Sequence, residues 1–169
     1  MTIHSTFGKL AFSLALAGTF LFPGLDARAA NDTTDTLNFV NYRDVRDLNP
    51  HLYAGEMYAQ EMIFETLVDI TADGYKPCLA ESWDISADGK VYTFHIRKGV
   101  TFTDGTPCDA FAIKANFDAI LENRARHTWL EMMHLLEKVD APDAHTFRIF
   151  MKAPYWPMLT ELGVTRPFA

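Results

Sequence analysis

Cysteine is scarce. The 169 residues hold two, Cys78 and Cys108, and no C-x-x-C pair. Histidine is present but never as H-x-x-x-H, so a self-contained metal site has weak support in the sequence. Ser82 lies in no G-x-S-x-G elbow, and no glycine-rich phosphate loop occurs. Nothing therefore invites enzyme chemistry, and the chain reads as a non-enzyme. Basic residues are outnumbered, 15 to 22, for a net charge of −7. With no basic patch, nucleic acid is set aside as a partner. Repeats and low-complexity tracts are missing too. What remains is the composition of one globular domain with a real core: 49% hydrophobic, 22% charged and 13% aromatic. Two cysteines in an oxidising compartment permit a disulfide, but sequence does not say whether their Cα atoms come close enough.

The longest apolar run is Leu10 to Phe22, too short to span a membrane comfortably. Lys9 precedes it, Pro23 and Gly24 break it, and Ala27-Arg28-Ala29 fits a small-residue cleavage site. Residues 1–29 are expected to be a cleavable signal peptide, and 30–169 the N-terminal part of a soluble exported domain. No cysteine stands at the end of the run, which argues against a lipid anchor there. Loss of Lys9, Asp26 and Arg28 moves the net charge from −7 to −8.

Periodicity predicts a mixed α/β chain. Thr36–Tyr42 alternates as a first strand, and Asp47–Pro50 is a turn. A helix is expected from about Gly55 to Leu67, with Ala59, Met62, Ile63, Thr66 and Leu67 toward a core. Asp73-Gly74 marks a turn. Ser82–Ser86 and Val91–Arg97 flank Ala87-Asp-Gly-Lys90 as a hairpin. Asp109 caps a helix running to about Glu122, with Phe111, Ala115, Ala119 and Ile120 available to a core. Trp129–Lys138 reads as a helix, Asp140–Asp143 as a polar turn and Thr146–Met151 as a strand. Tyr155–Leu162 reads as a short helix closed by Gly163. Val164 and Thr165 look like the opening of a further strand, which suggests a chain cut inside a larger fold.

Two stretches are rich in binding side chains. In "LNPHLYAGEMYAQEM", residues 48–62, Tyr53 and His51 sit on a loop, and Met57 points some 160° from Ala59 at roughly 100° per residue. Met57 is thus not placed by the core stripe of Ala59. It fits a neighbouring pocket or a ligand wall. In "RARHTWLEMMHLL", residues 124–136, Trp129, Met132, Met133 and Leu136 share one helical face, so Trp129 reads as core. Arg124, Arg126 and His127 just before it read as solvated. An Arg beside an indole is nonetheless a useful pair for an anionic, partly planar ligand, since guanidinium forks onto carboxylate and Trp offers a flat wall. Position alone does not settle whether Arg166 is a surface residue or a buried anchor.

The run "LAESWDISADGKVYTFHIRKGVTFTDGTPCDAFAIKANFDAI", residues 79–120, resembles the signature region of the peptide- and nickel-type extracellular solute-binding proteins of ABC importers. That family's pattern has L-A-x-S-W, D-G-K, F-x-L-R-x-G-V-x-F, D-G-x-P and a helix with Asn-Phe. "LNPHLY", "MYAQEM", "NRARHTWLEM" and "TRPFA" are most similar to the nickel-binding members. The departures are one residue fewer between Tyr53 and Met57, and Thr165 in place of Pro. The likeness spans residues 36–169. It implies the two-lobed periplasmic binding-protein fold of class II, of which this chain would hold only the N-terminal part.

The resemblance further implies capture of nickel inside a small carboxylate-rich metallophore, with no covalent cofactor. The cleft would use Tyr53, Met57, Arg126, Trp129 and Arg166: Arg166 forking onto a carboxylate, Arg126 adding charge, Tyr53 and Trp129 walling the complex, Met57 giving a soft contact. The protein's direct ligand to the metal, a His, would belong to a later part of the family's chain, so no direct metal ligand is expected among these residues. The partner would be an inner-membrane ABC permease, the location periplasmic and the state monomeric. The alternatives are a dipeptide, oligopeptide or haem binder of the same family, or a truncated chain without function.

Overall fold

The turn Ala87–Lys90 shows why the sheet forms where it does. Ser86 Oγ accepts from the backbone N–H groups of Lys90 (3.2 Å) and Val91 (2.9 Å). Gly89 takes φ +68, a left-handed conformation that glycine adopts without steric cost. The strands on either side then pair antiparallel. The computed structural model describes residues 40, 44–52 and 56–168, save the side chains of Thr165 and Arg166. The expected signal peptide lies outside these, as does the expected first strand apart from Val40.

A hairpin comes first, β1 (Val68–Thr71) with β2 (Gly74–Pro77). β3 (Ala80–Ile85), β4 (Val91–Ile96), β5 (Leu136–Asp143) and β6 (Thr146–Met151) build an antiparallel sheet in the order β3-β4-β6-β5. Burial alternates along the two central strands. Tyr92, Phe94 and Ile96 face inward from β4, and Phe147, Ile149 and Met151 from β6. Helix α1 spans Met57–Glu61, α2 Ala110–Glu122, α3 Glu131–Leu135, α4 Met158–Leu162 and α5 Thr165–Phe168. Single 3-10 turns occupy Pro50–Leu52 and Arg124–His127.

Helix α2 lies over β5 and β6. Asp109 caps it as expected, accepting from the N–H groups of Phe111 and Ala112, both at 3.0 Å. Its core stripe differs from expectation. Ile113, Phe117 and Ile120 are buried, while Phe111 and Ala115 are exposed. The stripe at i, i+4, i+7 prevails because it sets Phe117 against Phe147, with ring centroids 5.0 Å apart. Among the described residues no helix is long and apolar enough to cross a membrane.

Other expectations need correction. The helix from Gly55 to Leu67 stops at Glu61, because the next stretch pairs as extended backbone. Leu79 N–H donates to Thr66 O (3.1 Å) and Ala80 N–H to Leu67 O (3.0 Å). Met62 and Ile63 consequently face out rather than into the core. The helix expected over Trp129–Lys138 ends at Leu135. Arg124 donates to Met133 O (2.6 Å) and Leu136 O (3.1 Å), and Lys152 N–H to Leu135 O (2.8 Å). Carbonyls that a longer helix would have used are thereby occupied. Asp140–Asp143 is strand rather than turn. Pro142 fits there because β5 is an edge strand. Val164 is a bend and Thr165 opens helix α5, not a strand. Phe168 from α5 is buried and stacks on Phe117 with centroids 5.5 Å apart.

Candidate functional site

Four short elements gather near α2, two of them directly on it. The Pro50–Leu52 turn and α1 both pack on α5, and α5 and the Arg124–His127 turn pack on α2. Local chemistry shapes each. Asn49 Oδ1 accepts from His51 N–H at 2.9 Å, and Asp47 Oδ1 from Asn49 N–H at 2.8 Å, so side chains fold the Asp47–Pro50 stretch back on itself. Pro50 is buried beneath. The second turn is held by Arg126 N–H on Asn123 O (2.8 Å) and Leu130 N–H on His127 O (3.0 Å).

The side chains singled out in the sequence fall as follows. Met57 is 39% exposed and Trp129 62%, so Trp129 is not core. Arg126 is exposed on its turn. Tyr53 lies outside the described residues. Arg166 lies on α5, the helix that packs on both the Pro50–Leu52 turn and α1. Met57 and Arg166 thus sit on elements that pack together, α1 and α5, and the turn carrying Arg126 packs with α5 on α2, whereas these residues are up to 109 positions apart in sequence.

The basic cluster before Trp129 splits into three roles. Arg124 is spent on the α3 carbonyls. Arg126 faces solvent. His127, read as solvated, is fully buried. Burial first, then the neighbouring His51 and Arg126, push its pKa below the ordinary imidazole value, so it stays neutral beside a guanidinium. His51 in turn lies with Nε2 2.7 Å from Asn116 Oδ1 and meets the His127 ring edge-on. Asn116 and His127 were missed as site neighbours. The Asn-Phe pair inside α2 was the available signal for the first.

An exposed guanidinium next to an exposed indole can hold a flat or polycarboxylate anion. It offers no nucleophile. Among the described residues no group of three His, Cys, Asp or Glu could hold a metal ion. Cys78 and Cys108 are free thiols, and burial with Asp109 and Glu65 nearby pushes the Cys108 thiol up. A separate cavity of about 370 Å³ lies beside α2, walled chiefly by Phe64, Leu79, Val100, Phe102, Ile113 and Phe168. Met57, Arg126 and Trp129 do not line it. Its carboxylate, Glu65, is paired with Arg97 at 2.8 Å. Its described lining residues include no cation to meet an anion.

Comparison with known proteins shows the family. Residues 74–168 match the family of bacterial extracellular solute-binding proteins, family 5 Middle. The nickel-binding periplasmic protein of Escherichia coli (strain K12) is 42% identical over 166 residues, covering 97% of this chain and 30% of that protein. A solved structure, NikA from Brucella suis in complex with Fe(III)-EDTA, is 47% identical with a TM-score of 0.75 over 78% of this chain and 27% of that one. DppA from Helicobacter pylori, solved with the peptide STSA, is 29% identical with a TM-score of 0.60, covering 71% and 28%. The chain thus spans about 30% of the length of the first relative.

Proposed function

The chain belongs to family 5 of the bacterial extracellular solute-binding proteins, and from that premise we propose that it captures nickel held inside a small polycarboxylate chelator for an ABC importer. It works in the periplasm after loss of residues 1–29 and hands its cargo to an inner-membrane permease as a monomer. It is a binding protein and not an enzyme. Tyr53, Met57, Arg126, Trp129 and Arg166 form its share of the site. The chelator's carboxylates meet Arg126 and Arg166, its flat face lies on Trp129 and Tyr53, and Met57 gives the soft contact near the metal. The metal is cargo, already wrapped by its chelator, so the protein supplies charge and walls rather than a ligand cage.

The observation that carries the proposal is Trp129. A 62% exposed indole three positions after an exposed Arg has no role in the core. It lies in a chain 47% identical to a relative solved around a metal in EDTA, an aminopolycarboxylate. The peptide complex of the Helicobacter pylori relative supplies the rival ligand.

Calorimetry separates the two. Fe(III)–EDTA and nickel(II)–EDTA are expected to bind, and STSA peptide and aquated nickel to give no saturable heat. Arg166→Ala should weaken chelate binding by roughly thirtyfold or more, as expected when the partner of a desolvated charge is lost. Arg126→Ala, whose side chain is exposed, should cost less. Saturable binding of the peptide with both chelates silent would replace this function with peptide capture.

A further inference from the structure

His51 reaches two elements at once. Its Nε2 lies 2.7 Å from Asn116 Oδ1, a partner 65 positions away. Its ring meets the His127 ring edge-on, with centroids 6.1 Å apart and planes at 89°. An amide oxygen only accepts, so Nε2 carries the proton and donates. Asn116 belongs to α2, whose Ile113, Phe117 and Ile120 are locked in the core, so its amide is a fixed point. His127 is the last residue of the turn that carries Arg126.

Resting on the chelate-binding function above, we propose that the His51–Asn116 hydrogen bond is the positioning joint of the ligand site. It sets the Pro50–Leu52 turn against the Arg124–His127 turn, which carries Arg126 and leads into Trp129. Neither His51 nor Asn116 touches the ligand in this account.

The physical need for a joint follows from element length. The Pro50–Leu52 turn has three residues and α1 five, too few to hold their own shape. A rigid multidentate anion is bound well only when its partners sit at a fixed span, and small misplacements are costly. α2 is the long element here, with 13 residues. Fastening the Pro50–Leu52 turn to α2 through His51, and the Arg124–His127 turn through the His51–His127 contact, gives both halves of the site one reference. The Asn-Phe pair then has two assignments, Phe117 to the core and Asn116 to the joint.

Two measurements on the full 169-residue chain test the joint. Nitrogen-15 NMR of the imidazoles, without ligand, should show the His51 proton on Nε2 with a hydrogen-bonded shift, and Asn116→Leu should move that shift toward the free-imidazole value. A wild-type chain in which His51 is the Nδ1–H tautomer overturns the joint outright. Calorimetry with Fe(III)–EDTA comes second. His51→Ala and Asn116→Leu should each weaken binding about tenfold, the double variant should be no weaker than either single, and His51→Gln, whose amide N–H reaches the same acceptor, should recover most of the loss. Additive losses, or unchanged affinity in both singles, overturn the joint while leaving the chelate function intact. A wild-type chain that binds no Fe(III)–EDTA overturns that function and the joint's role together, and is seen before any variant is made.

Discussion

The sheet with α2 and the corner around Met57 and Trp129 obey opposite rules. In the first, the apolar side chains on the inward face are taken in: Tyr92, Phe94, Phe117, Phe147 and Ile149 are fully buried. In the second, large apolar side chains stay out. Met62 is 62% and Ile63 55% exposed, in company with Met57 and Trp129. Residues that fold the chain and residues that bind for it are therefore different sets on different elements. Substitutions should divide accordingly, into those that cost stability and those that cost affinity.

The largest stability effect is expected at Phe117, which touches Phe147 on the sheet and Phe168 on α5. Phe117→Ala should destabilise by about 3–5 kcal/mol in urea unfolding, the usual cost of emptying a large aromatic site. A loss under about 1 kcal/mol would mean that the aromatic cluster is not the hub joining α2 to sheet and site. Asp109→Ala, which removes two accepted hydrogen bonds at the start of α2, should cost about 1 kcal/mol by the same measurement. Asp109→Asn, another good cap, should restore most of it.

A smaller effect separates the regions by pH. His127 is buried and its pKa is lowered below the ordinary value of 6.5. The unfolded chain therefore takes up a proton that the folded chain refuses. Stability should be flat above about pH 7 and fall as pH drops through about 6.5 and below, since the unfolded state binds more protons there. His127→Gln should flatten that part of the urea-midpoint profile. An unchanged slope would place the responsible group elsewhere. Smallest of all, Met57→Ala and Trp129→Ala should shift stability by no more than about 0.5 kcal/mol, as expected of exposed side chains. A loss of 2 kcal/mol at Trp129 would turn it back into a core residue and dissolve the contrast.

The regular region was largely legible. The β3–β4 hairpin, the Asp109 cap, the α2 boundaries and β6 follow from period, turn chemistry and capping, all local signals. The errors fall where backbone groups are satisfied from a distance. α1 was read too long because Phe64–Leu67 carries apolar residues at helical spacing, yet Thr66 and Leu67 pair with Leu79 and Ala80. β5 was read as helix and turn because nothing local announces that Arg124 will take the Met133 and Leu136 carbonyls. For the site, residue types were legible, and a family resemblance supplied the choice among them. The bare pattern placed Trp129 in the core, since a helical stripe with Met132, Met133 and Leu136 looks the same whether or not the indole is covered. The His51–Asn116 pairing left no trace in spacing, because a hydrogen bond across 65 positions has no period.

The most direct measurement is tryptophan fluorescence during titration with nickel(II)–EDTA. Trp83 is partly buried on β3 and Trp156 sits against the Gly89 turn, so the chain carries its own controls. Saturable quenching is expected in the wild-type chain and in Trp156→Phe, and is expected to vanish in Trp129→Phe. Quenching that survives intact in Trp129→Phe would contradict the claim that the exposed Arg126–Trp129 corner receives the chelated metal.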